Sequence, residues 1–155
     1  MGIDAKFVIA GTGSYEAHLK EKVKSLGREA DIIFTGFISD VDKLMNITDL
    51  QCNASFGTEA TSLSLLEGMS LGIPAVVSDF GGNPGVIKDG KNGFLFPQKN
   101  ADKMAEAIYK VYSDKELYNE LSCGAKKIFN ETFTAAAMAG NIEKVYDIVL
   151  DGKEL

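Results

Sequence analysis

The sequence is poor in the residues that build disulfide frameworks, metal sites and nucleic-acid surfaces. Its 155 residues include two cysteines and one histidine, and 22 acidic residues outnumber 16 basic ones, for a formal net charge of −6. Cys52 and Cys123 are far apart, which argues against closely spaced metal ligands and favours two unpaired thiols in a cytosolic protein. The acidic balance is opposite to the basic footprint of a nucleic-acid-binding protein.

Long apolar runs are also missing. No run approaches the roughly 20 residues that span a bilayer, and Met1 to Lys6 lack the charged-then-apolar layout of a signal peptide. We therefore expect a soluble, cytoplasmic chain. Apolar residues make up 45% and charged residues 25%, as in an ordinary globular protein, and the length predicts one domain over residues 1–155.

Hydrophobic periodicity predicts strands that alternate with helices. Helical spacing follows the first strand up to Gly27, and a later helix must stop at Gly72 because glycine favours helix ends and Pro74 cannot continue the helix. Three helical patterns follow one another after Ala101. Alternating strands and helices imply a parallel sheet covered on both faces, hence the α/β class, with a helical C-terminal tail. The predicted strands are 6–10, 31–35, 50–54, 73–78 and 94–96.

Two stretches carry candidate chemistry. Gly11-Thr12-Gly13 joins a strand to a helix, where free backbone N–H groups can meet an anion, although Glu16 replaces the third glycine of a dinucleotide fingerprint and a purely structural turn stays an alternative. Glu59 and Glu67 are separated by seven residues. Eight helical residues rise about 12 Å, the length of a sugar-diphosphate-ribose unit, while two solvated carboxylates are the simpler alternative. A helix N-terminus suited to a diphosphate is predicted around Ser62 and Leu63.

The second stretch resembles the donor-binding motif of the large retaining glycosyltransferase family of GT-B fold, glycosyl transferases group 1, which includes glycogen synthase and sucrose synthase. That family has Glu, seven residues, Glu, then Gly-x-Pro, an apolar strand and a Gly-Gly turn. Other segments follow the family's order, including Phe34-Thr-Gly36-Phe37 and Asp89-Gly90-Lys-Asn-Gly93. The resemblance implies a Rossmann-like domain that forms the donor half of such an enzyme.

The resemblance also implies roles for individual residues. Glu59, the candidate catalytic residue, contacts hydroxyls of the transferred sugar, and Glu67 accepts hydrogen bonds from the ribose hydroxyls. Backbone N–H groups at the helix start hold the distal phosphate, and the main chain after the second strand meets the base. Two carboxylate oxygens accept two donors at once, which suits a ribose diol. The implied donor-binding residues besides Glu67 are Gly11, Gly13, Phe37, Ile38, Thr61, Ser62 and Leu63.

The implied reaction retains the anomeric configuration and uses neither cofactor nor metal, because the helix end helps to replace a metal ion at the departing diphosphate. The implied partners are a nucleotide-sugar donor and a carbohydrate or lipid-linked acceptor, the latter held by an N-terminal domain absent from this chain. No nucleic acid is expected. Membrane association, at the inner membrane face, is expected only of a full-length protein.

The sequence departs from the family pattern at two places. Gly85 occupies the position at which the family generally has a glutamate, so no role is assigned to it, and Ala60-Thr61-Ser62 replaces the Gly-Phe-Gly of many members, which changes the shape expected of the sugar pocket. His18, the single histidine, is expected to be solvated. A non-catalytic α/β module that binds a nucleotide or a protein remains the alternative function.

The family's basic pair and first strand-helix unit are not recognisable, so we expect an N-terminally truncated donor domain that transfers no sugar alone. Incubation of the 155-residue protein with radiolabelled nucleotide sugars and glycan or lipid acceptors should give no labelled product. Transfer to any acceptor would contradict this expectation.

Overall fold

The chain separates into two compact units, and each is described on its own. The computed structural model describes residues 3–57 and 60–152. Its units are Met1–Leu44 and Met45–Leu155, which divide the chain within the short helix α2 (Val41–Met45). Both units have parallel strands, and the single domain predicted over residues 1–155 stays a prediction.

The first unit, here the N-terminal unit, pairs two parallel strands. β1 (Phe7–Ala10) and β2 (Ile32–Gly36) are joined by α1 (Glu16–Ser25), which contributes the buried Val23. Gly27 has φ +62°, a left-handed conformation that favours glycine, and its N–H donates to Lys24 O at 3.0 Å. The predicted helix end at Gly27 is therefore confirmed.

Charged side chains tie the start of β2 to the residue before β1. Lys6 Nζ lies 3.2 Å from Asp31 Oδ1, and Arg28 Nη1 lies 3.3 Å from Asp31 Oδ2. Hydrogen bonds from Lys6 and Arg28 lower the pKa of the Asp31 carboxyl. Because these groups are open to water, the pairs orient the turn more than they stabilise it.

The second unit, here the C-terminal unit, is built on a three-stranded parallel sheet. β4 (Ala75–Ser78) lies between β3 (Gln51–Asn53) and β5 (Gly93–Phe96), and all four of its residues are buried. A continuous apolar strand of this kind is typical of a sheet covered on both faces. The helices of this unit that follow β3 are α3 (Leu63–Leu71), α4 (Asn83–Val86), α5 (Ala101–Ser113), α6 (Lys115–Ile128) and α7 (Ala135–Leu150).

The two neighbouring valines of β4 belong to different hydrophobic clusters. Val77 packs in one cluster with Leu65 and Met69 of α3, and Val76 packs in the other with Leu121 of α6 and Val111 of α5. Successive residues of a strand face opposite sides, so helices cover both faces of this sheet. The predicted α/β class with a parallel sheet between helices is confirmed.

The helical tail has a joint that periodicity does not predict. Its three helices are confirmed, but a π-helical turn, Phe129–Phe133, connects α6 to the last helix, and α7 continues through Met138 and Gly140 without interruption. Phe129 and Phe133 pack against the Val77 cluster. None of the helices in the described part of the chain is long and apolar enough to cross a membrane.

Gly124 and Gly140 allow a matched test of packing around α6. In Gly124→Ala the new methyl group would overlap the carbonyl oxygen of Lys91, so we expect the free energy of unfolding to fall by about 1–3 kcal/mol. In Gly140→Ala the methyl group meets open space, and helix propensity should raise it by up to about 1 kcal/mol. Urea unfolding followed by circular dichroism measures both; changes of the same sign would contradict this packing.

Candidate functional site

The start of α3 leaves its first backbone amides open. Ser62 has the extended backbone of an N-cap residue, with φ −75° and ψ 108°, but its side chain accepts no hydrogen bond from the helix. The Ser62 and Ser64 hydroxyls instead pair at 2.9 Å. Within the described residues, the N–H groups of Leu63 and Ser64 have no capping acceptor. The positive end of the helix dipole is therefore available to an anion.

One face of α3 is buried and the other is open to solvent. Leu65, Gly68 and Met69 are buried against the sheet, whereas Leu63 is 71% exposed. The helix ends as predicted at Gly72, which has φ +81°. The predicted phosphate-binding residues thus lie at a helix end whose buried face packs on the sheet and whose other face is open to solvent.

A glutamine from β3 holds the first turn of α3. Gln51 Nε2 donates to Ser64 O at 2.8 Å, and a methyl group added to Gly68 would overlap the Gln51 side chain. Gly68 thus leaves room for the end of the Gln51 side chain between helix and strand. No role for Gln51 is predicted from the sequence, because in the segment 50–54 it fits the ordinary alternation of apolar and polar residues.

Of the two predicted carboxylates, the structure describes Glu67 but not Glu59. Glu67 lies one turn after Leu63 on the exposed side of α3, and its carboxylate makes no ion pair with any described residue. It is therefore free to accept hydrogen bonds from a ligand. Glu59 lies outside the described residues, and its assignment as the catalytic residue stays a prediction. Thr61 is exposed next to Ser62.

A buried asparagine ties the glycine turn after β4 to the sheet. Asn83 Nδ2 donates to Ser78 O at 3.0 Å and to Ser78 Oγ at 3.2 Å, and Ser78 Oγ donates to Ser55 O at 2.7 Å. This chain of bonds links the ends of β3 and β4 to the start of α4. The Gly-Gly turn of the family pattern lies here, at Gly81 and Gly82, but no role for Asn83 is predicted from the sequence.

The remaining predicted donor-binding residues lie in the N-terminal unit. Gly11 has φ +113°, and its N–H donates to Gly36 O at 2.8 Å, which brings Gly11 beside the residue that precedes Phe37. Gly13 O accepts from the first amide of α1 at 3.1 Å. Phe37 is 80% exposed and Ile38 is half-buried. These four residues share one end of the β1–β2 pair, and their assignment to donor binding stays a prediction.

The other reactive side chains take no part in either group. His18 is exposed, as predicted, and its ring stacks on Tyr15 with 4.6 Å between centroids. Both cysteines are free, and burial of the Cys52 thiol raises its pKa to about 11, although part of the residue is exposed. Residues 3–57 and 60–152 contain no cluster of three or more His, Cys, Asp or Glu able to hold a metal ion.

Comparisons with known proteins show which family and which fold the chain has. N-acetyl-alpha-D-glucosaminyl L-malate synthase of Bacillus anthracis is 29% identical over 152 residues, which cover 97% of this chain and 40% of that protein. The crystal structure of HepE from Anabaena in complex with UDP gives a TM-score of 0.83 at 24% identity, over 92% of this chain and 41% of that one.

A third match is a domain solved by itself. The C-terminal domain of LpcC, a glycosyl transferase group 1 family protein of Francisella tularensis, gives a TM-score of 0.71 at 26% identity, over 78% of this chain and 63% of that one. The family model for glycosyl transferases group 1 matches residues 1–128. The chain, which spans about two fifths of the curated relatives it matches, therefore belongs to the glycosyl transferases group 1 family and has the fold of one half of a GT-B glycosyltransferase.

Proposed function

We propose that this chain is the donor-binding part of a retaining glycosyltransferase, which moves a sugar from a nucleotide sugar to a carbohydrate or lipid-linked acceptor in polysaccharide or glycolipid synthesis. The observation that carries the proposal is the uncapped start of α3 followed, one turn later, by an exposed and unpaired Glu67. The structures of HepE with UDP and with UDP-glucose support a nucleotide-sugar donor.

In the proposed complex, the diphosphate lies at the start of α3. The open N–H groups of Leu63 and Ser64 donate to phosphate oxygens, and the helix dipole adds a charge equivalent to about half a proton at that end. Charge-assisted hydrogen bonds of this kind are stronger than neutral ones. The helix end stabilises the negative charge that grows on the diphosphate as it leaves, so we propose that the reaction needs no metal ion.

Glu67 is proposed to hold the ribose. Four residues of helix separate it from Leu63, a rise of about 6 Å along the axis, which suits a ribose one phosphate away from the helix end. Its two carboxylate oxygens accept from the two ribose hydroxyls. The contact with the base implied for Phe37 and Ile38 belongs to the N-terminal unit and stays a prediction.

The transfer step needs no general base from this chain in the proposed mechanism. The bond from the anomeric carbon to the phosphate oxygen breaks, and the acceptor oxygen bonds to that carbon on the same face of the sugar. The acceptor's hydroxyl proton passes to the leaving phosphate. The configuration is retained because the new bond forms on the face from which the phosphate leaves. Glu59 is proposed to orient the sugar through its hydroxyls, while the acceptor is held by a part of the protein outside this chain.

Glu67→Ala tests the ribose contact. Hydrogen bonds to a charged group contribute about 1.5–3 kcal/mol, so we expect the Kd for UDP to rise about 10- to 100-fold. Isothermal titration calorimetry with UDP, GDP, ADP and UDP-glucose measures the change and identifies the base. Glu120→Ala, which removes another exposed helical glutamate of the same unit, is the control and should bind as the wild type does. If the wild type binds none of these nucleotides, or if Glu67→Ala binds them unchanged, the proposal is wrong.

Ser62→Asp tests the phosphate contact separately. A carboxylate at the N-cap can accept from the open amides of α3, so we expect the free energy of unfolding to rise by up to about 1 kcal/mol. The same carboxylate would compete with the diphosphate, so UDP should bind more weakly to a more stable protein. Ser62→Ala removes a hydroxyl that caps no amide and should change both quantities little. Calorimetry measures UDP binding, and urea unfolding measures stability. If Ser62→Asp binds UDP as tightly as the wild type does, the diphosphate does not lie at the start of α3.

A further inference from the structure

We propose that the turn Gly81–Asn83 is a positioning element that fixes the loop entering α3, and that it thereby aligns the open amides of α3 with the donor diphosphate. The inference rests on the proposed function for its ligand. It assigns a role to Gly82, Ser78 and Asn83, none of which touches the donor in the arrangement proposed above.

The first observation is a backbone contact without room for a side chain. A methyl group added to Gly82 would overlap the carbonyl group of Ala60 and would lie 3.3 Å from Thr61 Oγ1. Ala60 and Thr61 immediately precede Ser62, the N-cap of α3. The turn therefore supports the chain just before the helix begins.

The second observation is that the turn is itself anchored. Asn83 is completely buried, and both hydrogen bonds that its side chain donates go to Ser78 at the end of β4. The Asn83 N–H donates to Phe80 O at 3.1 Å and closes the turn. Since β4 is the buried central strand of the sheet, these hydrogen bonds attach the turn to the core.

The third observation is that the same anchor holds the other end of the loop between β3 and α3. Ser78 Oγ donates to Ser55 O at 2.7 Å, just after β3. The loop is therefore attached at Ser55 through a hydrogen bond and at Ala60 through the Gly82 contact. Both attachments depend on the end of β4, so this strand end determines where the residues that precede α3 lie.

The neighbouring Gly85 provides a matched control. Gly82 has φ −79°, so alanine is compatible with its backbone, and Gly85 likewise does not have a positive φ. A methyl group at Gly85 meets no atom within 4 Å. Gly82→Ala and Gly85→Ala therefore make the same chemical change at positions three residues apart. Only the change at Gly82 pushes on the residues before α3.

The experiment compares wild type, Gly82→Ala and Gly85→Ala by calorimetry with UDP and by amide hydrogen exchange. Because displaced amides make weaker charge-assisted hydrogen bonds to the diphosphate, we expect the Kd for UDP to rise about tenfold or more in Gly82→Ala. Exchange of the Leu65 and Leu66 amides, which donate to Ser62 O, should also become about tenfold faster, while peptides from β4 keep their protection. Gly85→Ala should match the wild type in both measurements.

The outcomes separate this inference from the proposed function. Unchanged exchange and unchanged UDP binding in Gly82→Ala would overturn the positioning role alone. A wild-type chain that binds no UDP or other nucleotide would overturn the proposed function, and with it the role of the turn in donor binding. If Gly82→Ala does not fold, Ser78→Ala replaces it. This smaller change removes the bond to Ser55 and should accelerate exchange of the Leu65 and Leu66 amides, and protection equal to that of the wild type would overturn the inference.

Discussion

The close approach of α3 to the sheet governs the arrangement of the C-terminal unit. At Gly68 the helix backbone lies against the Gln51 side chain with no room for a methyl group, and Gln51 Nε2 fixes the first turn through Ser64 O. A side chain at position 68 would have to displace the end of the Gln51 side chain and would thereby disturb its hydrogen bond to Ser64 O. The position of the first turn of the helix thus depends on a contact at the opposite, buried side of the helix.

The α3 terminus illustrates a conflict between stability and binding. An N-cap acceptor contributes about 1 kcal/mol to a typical helix, yet the hydroxyl of Ser62 is turned towards Ser64. The helix forms nevertheless because its buried face, with Leu65 and Met69, is placed in the core. Tertiary packing therefore makes up for the missing cap and leaves the amides open.

Much of the fold could be predicted from local patterns, because periodicity and glycine or proline signals are themselves local. The strands around 7–10 and 75–78 and the end of α3 at Gly72 follow from such patterns. The contacts of Gln51 with Ser64 and of Ser78 with Ser55 join residues 13 and 23 positions apart, which no local pattern encodes. The π-helical turn was likewise missed, because Phe129 and Phe133 continue a helical spacing. For the candidate site, the motif located the start of α3 and Glu67, while Glu59 remains a prediction from the resemblance.

The division of α3 into a buried and an exposed face has an evolutionary consequence. Leu65, Gly68 and Met69 determine where the helix lies, whereas Leu63 and Glu67 project away from the core. Substitutions on the exposed side therefore change what the helix end meets without moving the helix. The exposed positions can thus vary independently of the steric requirements that hold the helix against the sheet.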